Sequence, residues 1–218
     1  YDVGNIRIDR HLSNWTAALS GDVRDDFVSG AVAAWSLGWT AGQLTFDDQV
    51  AERVDAATAR TAGGFSRWNA NLTRLQMLSE QNSLYLAFFG QWASTNLDSS
   101  QKMVVGGPYT VRAYALGAVS GDTGYLGTLE FRRALGRALA GDWEGTLFVD
   151  GAHVTVNQDP WVARTNSATL SGAGVGLNWA GPDQWSARLF VAAPIGAIPS
   201  LVGNTSSARA WVQVGKTF

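Results

Sequence analysis

The fold is decided by residues 31–42, which read AVAAWSLGWTAG. They belong to an uncharged run, residues 27–46, that is long enough to cross a bilayer as a helix. Serine, glycine and threonine are poor helix formers, however, and the apolar residues recur with a period of two. Ala33, Trp35, Leu37, Trp39 and Ala41 alternate with Ala34, Ser36, Gly38, Thr40 and Gly42. This pattern is typical of a barrel strand between lipid and a wet lumen.

The same alternation recurs along the chain and predicts an all-β fold, a transmembrane antiparallel β-barrel with about ten strands in this sequence. It is clearest at residues 172–179, where apolar side chains stand at the odd positions and glycine or asparagine at the even ones. A soluble β-sandwich is the alternative, because its strands also alternate, with the polar face toward water. Many tryptophans and a charged fraction of only 16% favour a lipid-facing surface.

Short and long connections alternate between the predicted strands. Residues 79–82 and 139–145 are interpreted as short connections, whereas residues 47–64 form a long one in which residues 49–60 could make a helical turn or two. Outer-membrane barrels show this asymmetry, with short turns on the periplasmic side and longer loops outside. The last strand is expected to run to the C-terminal Phe218 on its apolar face.

The composition excludes several classes of function. The net charge is −2 and no run of lysine or arginine exists, so nucleic-acid binding is not expected. With no cysteine and two histidines, the sequence offers no metal-ligand cluster and no cofactor site. An enzyme is not expected either, since His11 has only Asp9 and Ser13 nearby and His153 is predicted to face lipid. No glycine-rich phosphate loop is present, so ATP binding is not expected.

One glycine-punctuated segment, residues 106–125, fits neither a strand nor a helix. It begins with GGPYTVRAYALG and carries a single arginine, Arg112, between apolar residues. One interpretation is a long surface loop whose glycines serve turns. The other is a loop that folds back against the rest of the protein, with Arg112 as its anchor.

These motifs together resemble a known family. GGPYTVRAY at residues 106–114 is followed by GDTGYLGTLEFR at 121–132, with GQWAS at 90–94 and NLD at 96–98 upstream and LSGAGVGL at 170–177 downstream. The combination is similar to the two-partner secretion transporters, the haemolysin activation/secretion protein family. The resemblance covers nearly the whole chain.

The resemblance implies a sixteen-stranded barrel in the bacterial outer membrane, preceded by a plug helix and periplasmic POTRA domains. Residues 1–218 are then expected to be the C-terminal part of that barrel, without its first strands and without POTRA domains. The implied function is passage of a large unfolded exoprotein, of the haemolysin or adhesin type, through the barrel pore without ATP. The implied partners are this exoprotein, the lipid bilayer and the barrel-assembly machinery, which would recognise the C-terminal strand and Phe218.

The resemblance also implies a lumen-folded loop, residues 95–124, whose Arg112 pairs with Asp150 on the barrel wall. Glu130 is also predicted to face inward and is the competing partner. Alanine stands at positions 113 and 152, where the family usually has glycine, so a tip that needed positive φ there would be strained. The implied loop motif is Gly107, Pro108, Val111, Arg112, Ala113 and Tyr114, and the wall motif is Phe148, Asp150 and Gly151.

Two other functions share the barrel. A sister branch that inserts proteins into the outer membrane has the same barrel and arginine loop, and a general diffusion porin would need no such loop. The segments GPYTVRAY and QWAS favour secretion over insertion.

Overall fold

The computed structural model describes residues 9–203 and 205–218. Its main feature is one antiparallel sheet that has nine strands within those residues. The strands are β1 (Arg10–Asp25), β2 (Ala31–Phe46), β3 (Gly63–Met77), β4 (Asn82–Ala93), β7 (Thr123–Ala138), β8 (Gly141–Thr155), β9 (Ser167–Ala180), β10 (Trp185–Pro194) and β11 (Arg209–Lys216). Two short strands, β5 (Met103–Val105) and β6 (Val119–Gly121), pair with each other between β4 and β7.

The strands of the large sheet lie side by side in their order along the chain, with β4 next to β7, so the sheet is an up-and-down meander with β1 and β11 at its edges. The expected antiparallel all-β fold is confirmed, with nine strands in the described residues where about ten were expected. The connections alternate in length as predicted. Short ones span residues 26–30, 78–81, 139–140 and 181–184, and long ones span 47–62, 94–122, 156–166 and 195–208.

The hairpin between β7 and β8 is tighter than the sequence predicted. The expectation of a connection over residues 139–145 is wrong, because Ala138 pairs with Gly141 and only two residues form the turn. Leu139 and Ala140 both have positive φ, 49° and 58°, as a two-residue turn between twisted strands requires. Neither residue is a usual turn former, which is why the sequence pattern did not reveal the turn.

The connection between β2 and β3 contains the one α-helix of the described residues, α1 (Gln49–Ala57). Asp48 caps its first turn, since the carboxylate accepts hydrogen bonds from the backbone N–H groups of Val50 and Ala51 at 2.6 and 3.3 Å. Within the part of the chain that the structure describes, no helix has the length and apolar character needed to cross a membrane.

The sheet has two unlike faces. We call the face that the 94–122 connection covers the inner face; on β8 it carries Phe148, Asp150 and Ala152, all of them buried. On the opposite, outer face the same strand exposes Leu147 and Val149. Because side chains alternate along a strand, the pairing register extends these two faces across all nine strands.

Aromatic side chains form two rows on the outer face. On β8, Trp143 and His153 belong to different rows and stand ten residues apart, about 33 Å along the strand. With a strand tilt of about 40°, this spacing corresponds to a band about 25 Å high, which matches the apolar band of outer-membrane barrels. The row beside the long connections is Trp39, Trp68, Trp92, Tyr125 and His153, and the row beside the short ones is Trp143, Trp179 and Trp185.

The C-terminal Phe218 lies outside the last strand. The expectation that β11 runs to this residue is wrong, because the pairing with β10 ends at Trp185 and Lys216. A short 3-10 helix, Pro182–Gln184, precedes Trp185, so the ladder stops there, although the Thr217 N–H still donates to the Gln184 carbonyl oxygen at 3.3 Å. Phe218 is fully exposed and lies 5.2 Å from the Lys216 ammonium group.

Candidate functional site

The candidate site is formed where the 94–122 connection packs on the inner face. The pairing of β5 with β6 gives the connection a two-stranded stem, and residues 106–118 form its tip. Gly106 and Gly107 turn the chain there with φ of 104° and 114°, a conformation that favours glycine. Buried apolar residues from the connection (Met103, Val105, Val111, Tyr114) and from the wall (Phe148, Leu170, Phe190) form one core.

Arg112 lies at the centre of the tip and is only 4% exposed. Its side chain binds Asp150 in a bidentate manner, with Nε donating to Oδ2 at 2.9 Å and Nη2 donating to Oδ1 at 2.7 Å. The Arg112 backbone N–H also donates to Asp150 Oδ2, at 3.0 Å. Thr128 Oγ1 donates to Asp150 Oδ1 at 2.7 Å. Asp150 therefore fixes both the side chain and the backbone of the tip.

Glu130 takes part in the same network rather than replacing Asp150. Arg112 Nη1 donates to Glu130 Oε1 at 2.7 Å, and Arg132 donates to Glu130 Oε2 from Nε and Nη2 at 2.8 and 2.6 Å. The result is a chain of two carboxylates and two guanidinium groups. Burial by itself would lower the pKa of Arg112, but the hydrogen bonds and charges of Asp150 and Glu130 outweigh it and raise that pKa above the usual value.

Aromatic rings surround the guanidinium group. Its carbon lies 3.4 Å from the ring centroid of Phe148 and 5.0 Å from that of Phe190. The two rings meet edge to face, with centroids 5.8 Å apart and an interplanar angle of 84°. A planar guanidinium can stack on a ring while its edge binds a carboxylate, which a lysine cannot do.

Glycines on β9 make room for this packing. A side chain at Gly172 would place its Cβ 2.5 Å from the Cβ of Ala113, and one at Gly174 would lie 2.5 Å from the Phe148 ring. A side chain at Gly176 would likewise meet Phe190 at 2.5 Å. The glycine repeat on β9 therefore leaves room for the loop tip at Gly172 and for the two phenylalanine rings at Gly174 and Gly176.

The remaining predicted residues divide between the two faces. Ala113 is fully buried and does not have positive φ, so alanine fits there without strain, and Ala152 is buried on the inner face. Gly151 lies on the outer face, between Asp150 and Ala152. Val111 and Tyr114 are fully buried in the core, and burial raises the pKa of the Tyr114 hydroxyl. Pro108 borders a cavity of about 590 Å³ beside the tip.

A second cluster holds the base of the loop, and the sequence reasoning did not single it out. Asp122 is fully buried and accepts hydrogen bonds from the backbone N–H groups of Leu97 and Gln158 at 3.0 and 2.8 Å. Lys102 Nζ lies 2.8 Å from Asp122 Oδ1, and Gln91 Nε2 donates to the Asp122 carbonyl at 3.0 Å. The only sequence signal was the presence of Asp122 in the GDTG motif.

Asn96 joins this base to two other long connections. Its amide donates to the carbonyl oxygens of Ala59 and Asp159 at 2.7 and 2.9 Å, and its oxygen accepts from Asp159 N–H at 2.7 Å. Asp98 forms an ion pair with Arg10 at the start of β1. The NLD motif thus links three connections on the same side of the sheet.

The two histidines lie apart from this site. His11 pairs with Asp47 at 3.0 Å, with both side chains exposed, and His153 on the outer face lies within 2.9 Å of Thr169 Oγ1. No group of three or more histidine, cysteine or acidic side chains that could hold a metal occurs in residues 9–203 and 205–218.

Comparisons with known proteins agree with the geometry. A sequence model of the haemolysin secretion/activation protein family, ShlB/FhaC/HecB, matches residues 6–179. The heme/hemopexin transporter protein HuxB of Haemophilus influenzae strain 86-028NP is 29% identical over 216 residues, and HuxB of strain ATCC 51907 is 25% identical over 216 residues. Each match covers 98% of this chain, which spans 37% of the relative's length.

Among solved structures, CdiB from Escherichia coli has a TM-score of 0.74 and 18% identity, over 93% of this chain and 36% of that one. This likeness supports the barrel-type fold. The curated relatives are named as transporters, in agreement with the expectation that the chain is not an enzyme. The family match covers most of the chain, and the outer-membrane location expected from the sequence is confirmed with it. The chain belongs to the haemolysin secretion/activation protein family ShlB/FhaC/HecB.

Proposed function

We propose that residues 1–218 are the C-terminal part of a longer outer-membrane barrel that passes an unfolded secreted protein to the cell surface without ATP. The observation that carries this proposal is the buried contact of Arg112 with Asp150 and Glu130. In a sheet with the fold of this family, it holds a long loop across the inner face. A pore that must admit a polypeptide and yet stay closed at rest needs such a movable obstruction.

Polar side chains on the inner face would guide the passing chain. Ser36 lies on the inner face of β2 and Thr16 on that of β1, and both offer hydroxyl groups to an extended backbone, whereas Thr40 is buried and bonds to Thr16. Asn178 donates to Glu144 at 2.9 Å within the sheet, and Gln213 contacts the Tyr109 hydroxyl of the loop. These two side chains therefore stabilise the sheet and the docked loop. Transient hydrogen bonds of this kind hold a moving chain weakly.

The cargo and the other partners follow from the family. The curated relatives are named for heme and hemopexin transport, so an exoprotein of that kind is the first cargo to test, within the broader haemolysin and adhesin type. The outer face would contact the lipid bilayer, and the barrel-assembly machinery would bind the C-terminal strand that ends near Phe218. Folding of the cargo outside the cell would give the transport its direction.

The test is secretion of the cognate exoprotein by the full-length protein carrying Arg112→Ala. Removing the guanidinium leaves Asp150 buried without its cation, whereas Glu130 keeps Arg132, and we expect a cost of about 3–5 kcal/mol to the docked tip. We expect secretion to fall at least tenfold while the barrel still assembles, as judged by heat-modifiable electrophoretic mobility. The matched control is Arg188→Ala, which removes an exposed arginine from the inner face of β10.

Equal secretion by the two variants would refute the proposal. If Arg112→Ala instead lowers the amounts of other outer-membrane proteins and leaves the exoprotein unaffected, the insertion function is correct. If neither export nor insertion changes and only small solutes pass, the protein is a diffusion porin.

A further inference from the structure

The last strand, β11, holds the tip of the loop from a second direction. The indole N–H of Trp211 donates a hydrogen bond to the Arg112 carbonyl oxygen at 2.8 Å, across 99 residues of sequence. Two residues further along β11, the Gln213 side chain contacts the Tyr109 hydroxyl. Asp150 on β8 binds the side chain and N–H of Arg112, so the two strands hold opposite ends of the same residue.

The packing around Trp211 supports this contact. Trp211 is the register partner of Phe190, and Phe190 lies beside both the Arg112 guanidinium and Phe148. The tip therefore rests on a row of three aromatic side chains from β8, β10 and β11. Indole nitrogen is a donor only, so its hydrogen bond to the carbonyl has a fixed direction and breaks if either partner moves.

β11 lies at the edge of the sheet, so its contact with the loop tip bears on how firmly this strand is held. Within the described residues, β11 pairs with β10 alone and has eight residues, the fewest in the large sheet. Its other edge lies in the membrane and must pair with a strand, because backbone groups cannot stay unpaired in lipid. On the inner face, β11 is held by its contacts with the loop tip.

We propose that Trp211 is a positioning residue that fastens the loop tip to the last strand, so that release of the tip and loosening of that strand occur together. Trp211 belongs to no motif by which the chain resembles its family. The inference goes beyond the proposed function, and its test needs no secreted cargo.

The first measurement is the reactivity of a thiol at the tip of the full-length protein. Val111 is fully buried beside Arg112, and residues 1–218 contain no cysteine, so Val111→Cys reports release of the tip through its rate of maleimide labelling. Trp211→Phe keeps a ring and removes the donor. We expect it to raise the rate about fivefold, as the loss of one neutral hydrogen bond would. Trp185→Phe, on the outer face of the neighbouring strand, is the matched control and leaves the rate unchanged.

The second measurement is amide hydrogen exchange of β11 in the purified protein. Trp211→Phe and Arg112→Ala should both speed exchange at Ala210, Val212 and Val214, with exchange in β2 unchanged. Gln213→Ala removes a half-buried side chain whose partner, Tyr109, is exposed, and should give a smaller change in the same direction. The inference is overturned if Trp211→Phe leaves the labelling rate at Val111→Cys unchanged. It is also overturned if hydrogen exchange in β11 is unchanged in both Trp211→Phe and Arg112→Ala.

Discussion

The inner face has two halves that differ in chemistry. The covered wall, the inner-face residues of β7–β10 that lie beneath the loop, carries the buried side chains of Glu130, Phe148 and Asp150. The open wall, the inner-face residues of β1–β3, exposes hydroxyl and amide groups such as Thr16 on β1 and Asn71 on β3. One half has the packing of a protein core, whereas the other has a wet polar surface.

The hydrogen bonds of the two walls differ in kind. On the open wall, Thr16 and Thr40 hydroxyls lie 3.1 Å apart and Asn71 donates to Ser36 at 3.0 Å, bonds between neutral groups. The Arg67 guanidinium of this wall donates to the amide oxygens of Asn69 and Gln91 rather than to a carboxylate. On the covered wall, the bonds join ions and are buried. Bonds to charged groups are stronger, and breaking them inside the protein is costly. The covered wall therefore fixes the loop, and under the proposed function the open wall would serve passage.

The largest expected difference between the walls comes from truncating one polar side chain in each. Asp150→Ala removes the main partner of Arg112 and should weaken docking of the tip by about 3–5 kcal/mol, because the arginine then remains buried with a single carboxylate. Asn71→Ala on the open wall removes only an exposed amide. Thiol labelling at Val111→Cys should rise at least tenfold in the first variant and stay unchanged in the second. Similar labelling in both would remove the distinction between the walls.

A smaller effect is expected from adding one methyl group to each wall. Gly172→Ala would place a Cβ 2.5 Å from Ala113, whereas at Gly38 the nearest atom is 3.9 Å away. Overpacking of this kind costs about 1–3 kcal/mol, so Gly172→Ala should displace the tip. Gly38→Ala should be silent. The measurement is the fraction of time that single channels spend in a high-conductance state. A silent Gly172→Ala would show that the tip does not press on β9.

The smallest effect is expected from removing one hydroxyl group from the open wall. Thr16→Val keeps the shape of the side chain and removes its hydroxyl, whose partner is Thr40. The lost bond is neutral and part-buried, worth about 1 kcal/mol. Pulse-chase export of the exoprotein should slow by about twofold, with thiol labelling at the tip unchanged. Faster labelling would place Thr16 in the docking of the loop, contrary to the comparison.

Much of the fold follows from local pattern. The alternation around Trp35 and in residues 172–179 predicted the faces of the strands, because a strand between lipid and water must alternate. The structure places Arg112 against both Asp150 and Glu130, which the sequence treated as alternatives. Sequence pattern cannot show that one guanidinium has enough donors, in the right directions, to bind two carboxylates at once.

Other features depend on contacts across the fold and had no local signal. The turn at Leu139 and Ala140 lacks glycine and asparagine, so strand pairing overrides local preference there. The partners of Asp122 and Trp211 lie far away in sequence, and only the folded loop brings them together. The glycine at position 172 matched a strand pattern. Its role in leaving space for the Ala113 side chain becomes visible only when the loop is packed on the sheet.

The most direct test of the central claim is a double-mutant cycle on single-channel conductance of the full-length protein in planar bilayers. It compares Arg112→Ala, Asp150→Ala and the double variant with the wild type. If the two residues form one clamp that holds the loop, each single variant opens the pore more often and the double variant behaves like either single one. Additive effects, or single variants that conduct like the wild type, would contradict the account.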